Sequence, residues 1–263
     1  MVEVVGRLNG LVAMVTGASR GIGKAIATAF VREGATVWLA ARDAGTLDGA
    51  VAAMPSGPGR ATAYRLDVSD GEACRAAVAA QEAAHGRADI LVSAAGVYHS
   101  ARFLDYPVAE FERLMRTNLY GPIHLMQAAL PGMQARRFGR IVNIASTAGK
   151  WASPNQSGYN ASKHALVGLT RCVALESAKS GVTVNAICPG VVDTDMIHDL
   201  WQGQGDAIGI TAEAARNAVM TRVPQGRLLD PAEVAELAVY MASREAGGMT
   251  GQSVLLDGGI LYV

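Results

Sequence analysis

Short branched apolar runs alternate with amphipathic stretches along the whole chain, and this alternation restricts the fold more than any single motif. The runs are LVAMVT (11–16), TVWLA (36–40), ATAYRL (61–66), DILVS (89–93), RIVNIAS (140–146), VTVNAIC (182–188) and SVLLD (253–257). Helical patterns lie between them, such as IGKAIATAFVREG ending at Gly34 and EACRAAVAAQEAAHG ending at Gly86. Glycine just past a periodic segment is the usual helix stop. Strands this continuously apolar are covered on both faces. The pattern predicts an α/β fold, a doubly wound Rossmann-type parallel sheet of about seven strands with helices on both sides. No repeat, Pro-rich linker or low-complexity block divides the chain, so residues 1–263 read as one domain. The least regular stretch, 191–230, contains Gly203, Gly205 and Gly209 and reads as a substrate lid inserted before the last helix and strand, leaving 1–190 as the main core.

Composition removes several function classes. The 23 Lys and Arg residues balance 23 Asp and Glu, and the arginines are scattered. Nothing here provides a basic footprint for nucleic acid or an acidic membrane surface. No apolar run reaches the roughly 18 residues that span a bilayer. MVEVVGRLNG lacks a charged start followed by a long apolar core, so no signal peptide is expected and a cytoplasmic protein is. Cys74, Cys172 and Cys188 are odd in number, far apart and without metal-ligand spacing. They are expected to be buried reduced thiols, and no metal site is expected.

The first strand runs into TGASRGIGKAIA, which sets Gly17, Ser19, Arg20, Gly21, Ile22 and Gly23 between a strand end and a helix start. Backbone amides and the helix dipole there suit a pyrophosphate. The spacing is GxxxGxG rather than GxGxxG. An acidic residue ending the second strand would hold the ribose hydroxyls of NAD. This strand ends WLAARD, with Ala41 at that place and Arg42 next. Arg42 and Arg20 suit a ribose 2′-phosphate, so NADP(H) is preferred and NAD(H) remains possible. Asp43, one position late, is the NAD-side alternative or the start of the next helix. Asp67 in RLDVS is placed to accept from an adenine amino group or to cap the next helix, for which Ser69 is the better candidate.

Tyr159 and Lys163 in GYNASKHALVG lie four apart on one helical face, in a chain with four lysines. A phenol titrating near 10 is a weak acid–base group at neutral pH. A cation within about 4–6 Å is expected to lower it by 1–3 units, so Lys163 is read as the group that tunes Tyr159. Lys163 can also hold a nicotinamide ribose. Ser146 ends the fifth strand, at the carboxyl edge where such sheets bind ligands. It is either a cap or a hydroxyl that stabilises developing oxyanion charge. Asn118 is a poor helix former inside the helical stretch 107–135, where a bend is expected.

TGASRGIG (16–23), LDV (66–68), AAG (94–96), TN (117–118), IAS (144–146), YNASK (159–163) and PGVVDT (189–194) occur in the order and spacing of the short-chain dehydrogenase/reductase family, which the chain resembles over essentially its whole length. The closest resemblance within it is to reductases of 3-oxoacyl thioesters and to aromatic-polyketide ketoreductases. It implies a homotetramer with catalytic Asn118, Ser146, Tyr159 and Lys163, the asparagine holding a proton-relay water. It also implies that Val68, Ala95 and Gly96 lie against the cofactor. Pro189 and Gly190 would shape the loop beside the nicotinamide, with Val192 and Thr194 as carboxamide contacts. Where the family commonly has Asn-Asn-Ala-Gly, this chain has Ser93 to Gly96, which predicts lost stability rather than lost activity. Val97, Tyr98, His99, Thr147, Trp151, Met196, Ile197 and Trp201 are the expected substrate wall, with His99 a loop residue and Trp201 either wall or packing. Of two basic positions used for carrier docking in such reductases, one is Arg137 and the other falls on Ser180 beside Lys179, so an acyl-carrier partner is doubtful. Three functions follow: an NADPH-dependent ketoreductase, an NAD-dependent secondary alcohol or polyol dehydrogenase, and a catalytically silent dinucleotide binder.

Overall fold

The computed structural model describes residues 6–262. The first half of MVEVVGRLNG, read above for a leader, lies outside them. Seven strands form one parallel sheet: β1 Val12–Thr16, β2 Thr36–Ala41, β3 Arg60–Arg65, β4 Ile90–Ser93, β5 Gly139–Ile144, β6 Val182–Pro189 and β7 Ser253–Leu256. Their order is β3-β2-β1-β4-β5-β6-β7, so the winding reverses between β1 and β4. Ligands bind beyond the carboxyl ends of strands at such a reversal.

Strand periodicity divides the core into two layers. Ala13 and Val15 of β1, Val37 and Leu39 of β2 and Val142 of β5 face α1 (Gly21–Arg32) and the C-terminal helix Pro231–Ala242, which carry Ile26, Phe30, Val234 and Val239. Met14, Trp38, Leu91 and Ile141 face the opposite layer, with Cys74 and Val78 of Gly71–His85 and Leu125 and Met133 of Gly121–Ala135. Two buried polar groups tie β1 to its neighbours. Gln81 donates to the Ala13 carbonyl at 3.0 Å. Asp89, fully buried just before β4, accepts from the Val12 amide at 3.0 Å and pairs with Arg87 at 2.6 Å. Removing that carboxylate leaves a buried N–H and a cation without a partner. Asp89→Ala is therefore expected to cost about 2–4 kcal/mol, read as a lower urea midpoint at unchanged slope.

Several expectations need correction. Residues 191–230 are not irregular, because helices Asp195–Ile208 and Ala212–Met220 occupy most of them. Gly205 lies inside the first, where a Cβ would come within 2.6 Å of the Ile210 carbonyl oxygen, and Gly209 ends it in the left-handed conformation. These glycines serve helix packing and capping. Cys172 is exposed on the outer face of Ser157–Ser177, while Cys74 and Cys188 are buried. The cap of Gly71–His85 is neither Asp67 nor Ser69 but Asp70, which accepts from the Glu72 and Ala73 amides.

The Ser93–Gly96 turn keeps its tie to β1 through Thr16, whose Oγ1 accepts from the Ala94 and Ala95 amides at 3.1 and 3.2 Å. The cost of the sequence departure falls elsewhere. Ser93 Oγ and Asn143 Oδ1, on residues in register across β4 and β5, are both buried without a partner. Among the described residues no helix is long and apolar enough to cross a membrane, and no cluster of His, Cys, Asp or Glu could hold a metal ion.

Candidate active site

Tyr159 and Lys163 rise from the first turns of the helix Ser157–Ser177, beyond the carboxyl end of β5. Lys163 is buried, and its Nζ donates to the Ile144 carbonyl at 2.9 Å, which leaves two of its three protons unassigned. Its Nζ lies 5.7 Å from the centroid of the Tyr159 ring. Ser146 does not end β5. It stands two residues beyond Ile144 and caps the short turn Thr147–Gly149, its Oγ accepting from the Ala148 amide at 3.1 Å. Capping and catalysis are compatible here, since acceptance uses a lone pair and leaves the O–H proton to donate.

Electrostatics overturn one expectation. Burial pushes the Tyr159 phenol up to about 12, offset in part by the Ser146 hydroxyl, where Lys163 was expected to lower it. Burial also lowers Lys163, to about 8. Burial thus works against the charged form of both groups.

Asn118 lies in a π-helical turn, Arg116–Tyr120, between the helices Val108–Met115 and Gly121–Ala135. The expected interruption is a wider turn. Its side chain clamps the Val97 backbone, accepting from the amide at 2.9 Å and donating to the carbonyl at 3.0 Å, with a further bond to Ser162 Oγ at 3.1 Å. Ser162 in turn donates to the Tyr159 carbonyl at 2.8 Å. Asn118 therefore positions the β4 loop and the tyrosine turn. A Cβ on Gly96 would stand 3.5 Å from Asn118 Oδ1 and 3.8 Å from Lys163 Nζ.

A cavity of about 340 Å³ opens beside these groups. Ile22, Pro189, Gly190, Val192 and Thr194 from the cofactor set line it, with Tyr98, Ser146, Thr147, Trp151, Tyr159, Met196 and Ile197 from the catalytic and substrate sets. Tyr98 meets Tyr159 edge-on, ring centroids 5.3 Å apart, and burial pushes its phenol up. Three expected wall residues are elsewhere. Val97 is held through its backbone by Asn118, and His99 meets Tyr106 edge-on. Trp201 is buried in a small lid cluster with Val191, Ile197 and Val223. Sequence reasoning missed Gln156, Gln204, Ile208, Ile210, Val219 and Arg222, which also line the cavity. Gln156 was findable as the residue just before Tyr159's helix. The lid residues were not, because only the return of the chain brings them there.

Ser19, Arg20, Gly21 and Thr194 line an adjoining groove of about 530 Å³. Helix α1 begins at Gly21 with no side-chain cap and no acid in its first turn, so its N-terminal amides are open to an anion. Gly17, at φ +65°, lets the turn approach β4 so closely that a Cβ would lie 2.8 Å from Ala95 Cα. Val68 is buried in the core against Gly121, leaving only its backbone for a ligand. Asp67 accepts from the Ser69 amide and hydroxyl at 2.9 and 2.7 Å. Burial pushes its carboxyl up, but those two bonds and the Arg42 charge more than offset this and leave it below the usual range.

Residues 17–261 match a family model described as enoyl-(acyl carrier protein) reductase. The chain belongs to the short-chain dehydrogenase/reductase family. It is 38% identical to a D-β-hydroxybutyrate dehydrogenase of Cupriavidus necator over 255 residues, 96% of this chain and 98% of that protein. It is 34% identical to a 3-oxoacyl-[acyl-carrier-protein] reductase of Thermotoga maritima, across 97% of this chain and 99% of the other. An acetoacetyl-CoA reductase of Shinella zoogloeoides is 38% identical across 96% and 99%. This short-chain dehydrogenase/reductase is an oxidoreductase acting on hydroxy or keto groups. The family binds NAD(P), and the open α1 amides and the glycine turn against Ala95 fit that group.

Lys163 gives the enzyme a measurable pH signature. Its folded pKa of about 8 lies below the ordinary 10.5, so its charge opposes folding fully below pH 8. That cost is relieved as pH rises through 8 to 10.5. Against Lys163→Met, the wild type is expected to gain about 2 kcal/mol of relative stability between pH 7 and pH 10. Urea titrations at the two pH values check this; parallel curves would refute a buried titrating lysine.

Proposed function

We propose that the chain is an NADPH-dependent ketoreductase that turns a ketone (a 3-oxoacyl thioester, a polyketide or a bulky aryl ketone) into a secondary alcohol. The observation that carries this reading is geometric: Ser146 and Tyr159 share the wall of a largely apolar cavity, with Lys163 Nζ 5.7 Å from the Tyr159 ring. A neutral phenol beside a second hydroxyl can donate to a substrate oxygen as that oxygen gains negative charge, which is what reduction asks of a general acid. The substrate oxygen accepts from Ser146 and Tyr159. A reduced nicotinamide, when bound, would supply the hydride that the carbonyl carbon accepts. Tyr159 gives its proton to the developing alkoxide, and Ser146 holds the charge while it forms. Lys163, its Nζ 5.7 Å from the ring centroid, supplies a positive charge that favours the resulting phenolate.

The preference for NADPH is supported at the end of β2. Ala41 offers no carboxylate there, and Arg42 follows it. The Asp43 carboxylate is engaged in capping the next helix through the Thr46 amide at 2.8 Å, which makes it a poor ribose ligand. Arg20 pairs with Asp195 at 3.1 Å, but both side chains are exposed and such a pair exchanges readily for a phosphate. The likeness to a D-β-hydroxybutyrate dehydrogenase favours the second reading, an NAD-dependent secondary alcohol dehydrogenase. A cytoplasmic homotetramer is part of the first reading, and the exposed Leu104, Val108 and Leu175 support an assembly. Arg137 turns its guanidinium onto the Lys179 carbonyl at 3.2 Å, so a free or CoA-linked ketone fits better than a carrier-bound one.

Initial rates of NADPH and NADH oxidation with a 3-oxoacyl thioester and an aryl ketone test the proposal. Faster turnover with NADPH is expected. Turnover with NADH alone would move the enzyme to the second reading, and tight dinucleotide binding with no turnover would favour the silent binder.

A further inference from the structure

Among the described residues that form the wall of the 340 Å³ cavity, Arg222 is the only one with a charged side chain. It follows the second lid helix and is exposed, so it stands where the cavity meets solvent. Its guanidinium carbon lies 4.2 Å from the centroid of the Trp151 ring, which lines the same cavity. Neighbouring arginines are engaged differently. Arg227 makes a forked contact with Glu233 at 2.7 and 2.8 Å, and Arg20 pairs with Asp195. Among the described residues Arg222 has no carboxylate within 4.0 Å and no side-chain hydrogen bond.

Stacking uses the face of a guanidinium and leaves the N–H groups on its edge unspent. Contact with Trp151 also restrains the side chain, so less rotamer freedom is lost when those donors bind something. A planar fork held at the rim of an apolar cavity is matched by a carboxylate or a phosphate. Of the other polar residues on the same cavity wall, Ser146 and Tyr159 offer hydroxyls to a carbonyl oxygen, while Gln156 and Gln204 are uncharged. The walls thus read a molecule with a neutral carbonyl end, an apolar middle and an anionic end.

We propose that Arg222, braced on Trp151, binds an anionic group at the end of the substrate remote from the reacting ketone. This rests on the ketoreductase reading and narrows its substrate to an anionic ketone. The anion is either the carboxylate of a free oxo acid or the phosphate of a phosphopantetheine thioester.

The test compares matched pairs of ketones in the wild type and in Arg222→Gln. One pair is 5-oxohexanoate and its methyl ester; the other is a 3-oxobutyryl thioester of pantetheine with and without its 4′-phosphate. The expected result is a KM raised about tenfold for the anionic member of one pair, with kcat nearly unchanged and the neutral member unaffected. Arg222→Lys is expected to restore part of the loss, since it keeps charge without the fork. The pair that responds identifies carboxylate or phosphate. Equal changes for charged and neutral ketones would overturn the proposal, as would a raised KM for the dinucleotide alone. Wild-type turnover of the neutral ketones keeps these outcomes separate from failure of the ketoreductase reading, in which no ketone is reduced.

Discussion

Tyr159→Phe lowers kcat for ketone reduction by roughly 10²–10⁴-fold, the usual contribution of a positioned general acid, and leaves dinucleotide affinity within a few-fold. The substitution removes one oxygen and keeps the ring, so the edge-on contact with Tyr98 and the 5.7 Å approach of Lys163 survive. Folding should be untouched or slightly favoured, because a buried hydroxyl is exchanged for hydrogen. The residual rate belongs to Ser146 and to hydride positioning, which the variant retains. Steady-state rates paired with a fluorescence titration of the dinucleotide make the check. A kcat within tenfold of wild type would show that the proton comes from another group, and the Ser146 side of the cavity would then be the place to look.

The second large effect concerns the end of β2. Ala41→Asp combined with Arg42→Ala replaces a cation that faces Asp67 with a carboxylate at the strand terminus. Loss of a charge-assisted bond to a 2′-phosphate removes about 1.5–3 kcal/mol, and repulsion between the new carboxylate and the phosphate adds to it. The expected outcome is a fall of at least about a hundredfold in kcat/KM for NADPH relative to NADH. Both positions are at the sheet rim and only partly buried or exposed, so stability should change little. Measuring kcat/KM for both dinucleotides with one ketone decides it. An unchanged ratio would mean that Arg20, not Arg42, sets the preference.

How far the sequence could be read depended on whether a feature is local. All seven strands fall within two residues of the apolar runs, because near-continuous branched segments have few other uses in a chain of this length. The glycine turn and the Tyr159–Lys163 pair were legible for the same reason: each is a short stretch with a mechanical requirement. Asn118 was legible as a fault in a helix, though not as the π-turn that lets it reach Val97. The cap of the third helix went to Asp70 because that side chain reaches two free amides, a distinction of one residue that propensity does not resolve. Burial was the hardest quantity to foresee. It reversed the direction expected for Tyr159, sent Trp201 into the lid's own cluster and left Cys172 outside. Each of these depends on what covers a residue from a distant part of the chain, and so does the contribution of Gln204, Ile208, Ile210, Val219 and Arg222 to the cavity, whereas Met196 and Ile197 were legible.

The two ends of the segment 191–230 are fastened to each other. Val192 and Leu229 form an isolated parallel bridge, the Asp193 amide donates to the Leu229 carbonyl at 2.9 Å, and the Leu229 amide donates to the Val191 carbonyl at 2.8 Å. Between those points the two helices rest on a small cluster of their own around Ile197 and Trp201. When the ends of an excursion are already fastened, changing its length alters closure entropy only logarithmically. Changes of length between the two helices therefore bear on the cavity wall more than on the sheet, while Val192, Thr194 and Arg222 remain tied to what they touch. A scaffold arranged this way separates the evolution of what is recognised from the evolution of what is done to it.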